Sequence, residues 1–100
     1  MNLQSINTTA LQSICQKFDV RELYAFGSVV SGEMTVDSDI DFLVVFDRPS
    51  PNGAFDQFMG LKMALETEFG RSVDLVTLKP FRNEIFQQEI DHTKVLLYAA

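Results

Sequence analysis

One hundred residues, 46% of them hydrophobic and 11% aromatic, suffice for one α/β core but not for two independent ones, so a single domain over residues 1–100 is expected. Eight Lys and Arg against 14 Asp and Glu give a formal net charge of −6, which argues against generic nucleic-acid binding, because a polyanion is held by clustered cations. Cys15 is the single cysteine, which excludes an internal disulfide, and no signal-peptide pattern or membrane-length apolar run is present; a cytoplasmic location is expected.

Taken in chain order, the first element is a helix. Thr8 or Thr9 is the expected N-cap, Leu11, Ile14, Cys15 and Phe18 recur at three-to-four spacing, and Asp19 closes it. In that setting Cys15 reads as a packed thiol. Val20–Phe26 is rich in β-formers and ends at Gly27-Ser28, a strand running into a tight turn. Residues 29–31 suit the first turn of a short helix, and Gly32, Glu33, Thr35, Asp37 and Ser38 make a polar connection.

Ile40–Phe46 carries apolar residues on both faces, interrupted only by Asp41, the pattern of a central, buried strand. The two prolines and one glycine of residues 48–53 mark a loop. Ala54–Phe69 follows a helical stripe in which the phenylalanines and methionines are expected in the core, with Gly70 as the stop. Residues 73–78 predict another strand, carrying Asp74; Pro80 precedes a helix holding Ile85, Phe86 and Ile90, and residues 95–98 suit a short last strand. His92 has no second ligand-type residue at useful spacing and reads as a helix-end or surface histidine. The order predicts an α/β (α+β) domain, one mixed sheet flanked by helices.

The chemistry concentrates in the acidic residues. Along a strand, residues two apart face the same way, so Asp39 and Asp41 project side by side and call for a counter-ion. Asp74 opens the next strand; if the two strands are neighbours, three carboxylates gather at one sheet edge. Hard oxygens so arranged select Mg²⁺ or Mn²⁺, and a magnesium ion held by few carboxylates keeps places for water and phosphate, which points to a triphosphate substrate. Gly27-Ser28, a glycine turn feeding a helix N-terminus, offers N–H groups and a hydroxyl to anions.

Gly27-Ser28, ten intervening residues and Asp39-Ile40-Asp41 resemble the signature of the DNA-polymerase-β-like nucleotidyltransferases. The surrounding Tyr-Ala-Phe-Gly-Ser and Asp-Ser-Asp-Ile-Asp-Phe-Leu-Val-Val-Phe are similar to the minimal, stand-alone prokaryotic members, and the resemblance runs from Tyr24 through the strand of Asp74. It implies that Asp39, Asp41 and Asp74 hold two metal ions, that Asp74 helps deprotonate the acceptor, and that Ser28 contacts phosphate. The implied reaction is attack of an acceptor hydroxyl on the α-phosphate of ATP with departure of pyrophosphate. Where such members usually carry arginines after the Gly-Ser pair, this chain has Val29-Val30-Ser31-Gly32.

Minimal members often resemble antitoxins paired with a helical HEPN-type ribonuclease toxin, some of them transferring AMP to its tyrosine, and this is the role the resemblance implies here. Two other readings stand beside it: a module that neutralises its partner by binding alone, and transfer of a nucleotide to a small hydroxylated molecule.

Overall fold

The computed structural model describes residues 6–27, 30, 39–47, 53–77 and 94–100. Within them lie two helices, α1 (Thr8–Lys17) and α2 (Ala54–Phe69), and four strands, β1 (Val20–Phe26), β2 (Ile40–Phe46), β3 (Val73–Thr77) and β4 (Val95–Ala99). The short helix expected at 29–31 and the one expected around Ile85, Phe86 and Ile90 fall wholly or largely outside the described residues, as does His92.

The strands form one mixed sheet in the order β3-β2-β1-β4. β1 pairs antiparallel with β2 and with β4, whereas β2 and β3 run parallel. A parallel pair cannot be joined by a tight hairpin, and α2 supplies the crossover between them. The last strand, legible only as a short β-rich run, extends through Ala99 and closes the sheet along β1.

Alternation in β2 sorts the sheet into two faces. Ile40, Phe42 and Val44 are buried with Leu23, Ala25, Val73 and Leu75 against Leu11 and Cys15 of α1 and Leu61 and Leu65 of α2. Phe42 also meets Phe69 at a ring-centroid distance of 5.6 Å. Burial pushes the Cys15 thiol up to about 12, so it stays protonated and inert. The opposite face carries Leu43 and Phe26 with Tyr24 and Val76.

Helix boundaries differ from expectation in one place. The N-cap of α1 is Asn7, whose side-chain oxygen accepts from the Ala10 N–H at 3.1 Å; an Asn carbonyl caps more strongly than a threonine hydroxyl one residue later. Asp19 follows the helix at φ 56, a left-handed position that a short polar side chain tolerates. α2 ends as its sequence predicts, at Gly70 with φ 63 and its N–H on the Glu66 carbonyl at 2.8 Å.

The expectation that all phenylalanines and methionines of α2 are core residues is corrected. Phe55 is 74% and Met63 62% exposed. At 100° per residue both fall on the side of the helix away from Leu61 and Leu65, where no described neighbour covers them. The core stripe instead includes a polar residue, Gln57, 4% exposed, whose Nε2 donates to the Phe18 carbonyl at 2.8 Å and ties α2 to the end of α1. Gln57→Ala should leave that carbonyl unsatisfied and cost about 1–3 kcal/mol, measurable as a lower urea midpoint.

Candidate active site

The site is set by where β2 begins. Ile40 is 1% exposed and its N–H donates to the Ser72 carbonyl at 3.0 Å, locking the start of β2 to the residue before β3. With Ile40 and Phe42 turned to the helices, Asp39 and Asp41 face the other side of the sheet. The parallel register pairs Ile40 with Val73 and Asp41 with Asp74. Val73 and Leu75 are buried on the helix side, so Asp74 stands beside Asp41 on the opposite face, about 4.8 Å away at the backbone. The adjacency required of the three carboxylates is therefore present, one strand spacing apart.

Asp39 and Asp74 are exposed and Asp41 is half-buried. Burial raises the Asp41 carboxyl above the usual carboxylate range, and the like charges of Asp74 and then Asp39 push it further. A raised folded-state pKa means that the ionised carboxylate is worse off folded than unfolded. Its contribution to stability is full below the ordinary aspartate pKa and is lost as pH rises through the raised value. Asp41→Asn should thus raise the metal-free melting temperature at neutral pH by a few degrees and flatten its decline between acid and neutral pH; a fall at neutral pH would contradict this.

Gly27 acquires a function beyond the anion-binding turn its sequence suggests. It sits directly after β1 at φ +73, next to Phe26, whose Cα partner is Asp41. A Cβ on Gly27 would run into the Asp41 carboxylate, with Oδ2 the nearest atom. The glycine both permits the left-handed turn and leaves the space that Asp41 occupies. The Val30 N–H donates to the Gly27 carbonyl at 3.1 Å, so the chain turns immediately after it. Nothing in the sequence but the closeness of both motifs to strand ends signalled this contact. Ser28 lies outside the described residues, as do Lys79 and Arg82, and Lys62 approaches Glu66 at 4.0 Å within α2.

The donor set suits a hard divalent cation. Among the described residues no three acidic, histidine or cysteine side chains close into a finished cage. Magnesium, however, takes few protein oxygens and fills its octahedron with water and phosphate. The mutual opposition of Asp39, Asp41 and Asp74 is what such a cation would relieve.

Comparison with known proteins identifies the family. The model of the nucleotidyltransferase domain matches residues 8–96. The protein adenylyltransferase MntA of Thermococcus cleftensis is 38% identical over 84 residues, 83% of this chain and 81% of that one. A chain of a toxin–antitoxin crystal structure with AMP-PNP superposes with a TM-score of 0.71 at 22% identity, covering 95% of this chain and 75% of its own. A chain from the complex of a tri-AMPylated HEPN toxin with MNT antitoxin of Shewanella oneidensis gives 0.64 at 20%, covering 98% and 74%; at these identities the likeness is one of fold. Among the described residues no helix is long and apolar enough to cross a membrane. With its fold, its paired carboxylates and a family match over most of its length, the chain belongs to the nucleotidyltransferase domain family, as a minimal nucleotidyltransferase of the polymerase-β-like fold.

Proposed function

We propose that this protein transfers AMP from ATP to a tyrosine hydroxyl of a HEPN-type ribonuclease toxin, with Mg²⁺ as cofactor, and so acts as its antitoxin in the cytoplasm. The observation that carries the reaction is the side-by-side placement of Asp41 and Asp74 on the open face, with Asp39 flanking them. Adenylyl transfer to protein is favoured by the likeness to the Thermococcus protein adenylyltransferase, and the HEPN partner by the AMPylated toxin in the Shewanella complex.

In this reading Asp39, Asp41 and Asp74 hold two magnesium ions, and Gly27 with Ser28 cradles the outer phosphates. Bound there, the cations would offset charge on the attacking and leaving oxygens of the α-phosphate. Asp74, exposed on the edge strand β3, takes the proton of the acceptor hydroxyl. The hydroxyl oxygen bonds to the α-phosphorus, the bond to the bridging oxygen breaks, and pyrophosphate leaves. The acceptor hydroxyl is carried by a partner protein, as it is in the complex of the AMPylated toxin.

The position of the label in ATP tests the reaction type. With Mg²⁺ and a co-purified HEPN protein, ATP labelled at the α-phosphate should mark the acceptor and ATP labelled at the γ-phosphate should not. Transfer of γ-label would make this a kinase, and binding of the partner without either label would make it a module that neutralises by complex formation.

A further inference from the structure

We infer that Glu66, in the last turn of α2, is a positioning residue for the reaction: its carboxylate grips the first peptide of β3 and so holds Asp74 abreast of Asp41. This rests on the nucleotidyl-transfer reading. The geometry turns on the peptide that joins Ser72 to Val73. A trans peptide points its carbonyl and its N–H in opposite directions. The Ser72 carbonyl accepts from the Ile40 N–H at 3.0 Å, so the Val73 N–H points away from β2. β3 is an edge of the sheet, and on that side no strand among the described residues offers an acceptor. Glu66 supplies one: its Oε2 accepts from the Val73 N–H at 3.0 Å. A single peptide is thereby held from both sides, by β2 and by α2.

That peptide lies among the three carboxylates. Ile40, which makes one grip, stands between Asp39 and Asp41; Val73, which makes the other, is followed by Asp74. The register it fixes pairs Ile40 with Val73 and Asp41 with Asp74. An edge strand has one neighbour to hold it, and strand ends open more readily than strand centres. Without Glu66, the start of β3 would be held from the β2 side alone, and Asp74 is the next residue along.

Glu66 is itself well placed to act as a fixed point. Its backbone carbonyl accepts from the Gly70 N–H at 2.8 Å, where the chain turns at φ 63. Lys62, one turn earlier, stands 4.0 Å from the same Oε2. One residue therefore ends the helix through its backbone and catches the following strand through its side chain. A carboxylate makes a stronger bond to an N–H than a neutral oxygen does, yet an amide oxygen of the same reach can still accept.

The test is a double-mutant cycle between Glu66→Ala and Asp74→Asn in the full chain, with Glu66→Gln as rescue and Gln57→Ala as a variant destabilised at the other end of α2. Three quantities are read at a temperature where all are folded: the rate of AMP transfer to the co-purified HEPN protein, calorimetric affinity for Mn²⁺ alone, and hydrogen exchange at the Val73 amide. Glu66→Ala should speed that exchange and lower both rate and Mn²⁺ affinity about tenfold, with no further loss in the Asp74→Asn background. Glu66→Gln should restore most of each, and Gln57→Ala should lose stability while keeping its rate. Wild-type rate and affinity in Glu66→Ala, or an equal loss in both backgrounds, would overturn the assignment and leave Glu66 a residue of the fold alone. An Asp74→Asn variant with wild-type rate and affinity would instead overturn the role of Asp74, and with it the need to position that residue.

Discussion

Replacing Asp39 and Asp41 together with asparagine is expected to lower AMP transfer by about a thousandfold or more, roughly 4 kcal/mol of transition-state stabilisation, without unfolding the protein. Asparagine keeps the shape of both side chains, so the β2 register and the buried Ile40 and Phe42 are untouched. What disappears is the negative charge that, in the proposed reaction, would hold a divalent cation at the open end of β2. The loss of like-charge opposition around Asp41 works in favour of the fold. A second readout follows from linkage: millimolar Mg²⁺ should raise the wild-type melting temperature and leave that of the double variant unmoved. Steady-state kinetics with thermal melts at matched magnesium check both halves. A double variant that keeps even a tenth of its activity would remove these carboxylates from the chemistry.

The second large effect is expected at Gly27. Gly27→Ala places a methyl group at φ +73 and against the Asp41 carboxylate. The left-handed backbone alone costs about 1–2 kcal/mol, a melting temperature lower by about 5–15 °C for a domain of this size. The displaced carboxylate should add about a hundredfold loss of rate, because reacting groups tolerate little misplacement. Gly70→Ala separates the two effects. Gly70 has a similar φ of +63, yet nothing stands within 4 Å of the Cβ it would gain, so that variant should lose comparable stability and keep its rate. Equal rate losses in the two variants would mean that Gly27 serves only the turn.

Much of this was legible before any coordinates, for physical reasons that differ from place to place. β2 was legible because a strand buried on both faces is continuously apolar, and the single charge interrupting it, Asp41, had to be explained by something other than solubility. The end of α2 was legible because Gly70 is the residue a left-handed cap demands. The exposure of Phe55 and Met63 was not, since a stripe broad enough to include them still scores as helical, and only the neighbours decide which side is covered. Gln57 was hidden because its partner is a carbonyl 39 positions away in sequence. For the site, spacing aligned Asp39 with Asp41, but the step from Asp41 to Asp74 and to Phe26 is a matter of strand register, which no local pattern encodes. The contact between Gly27 and the Asp41 carboxylate is likewise a tertiary fact written in two separate motifs.

The central claim, nucleotidyl transfer to a protein hydroxyl, is tested most directly by intact-mass spectrometry of the protein encoded beside this chain, after co-expression with the wild type and with the Asp39→Asn/Asp41→Asn variant. One or more AMP units should appear on that partner, on a tyrosine, only with the wild type. A partner of unmodified mass that is nonetheless neutralised and bound equally by both forms would contradict catalysis as the basis of its control.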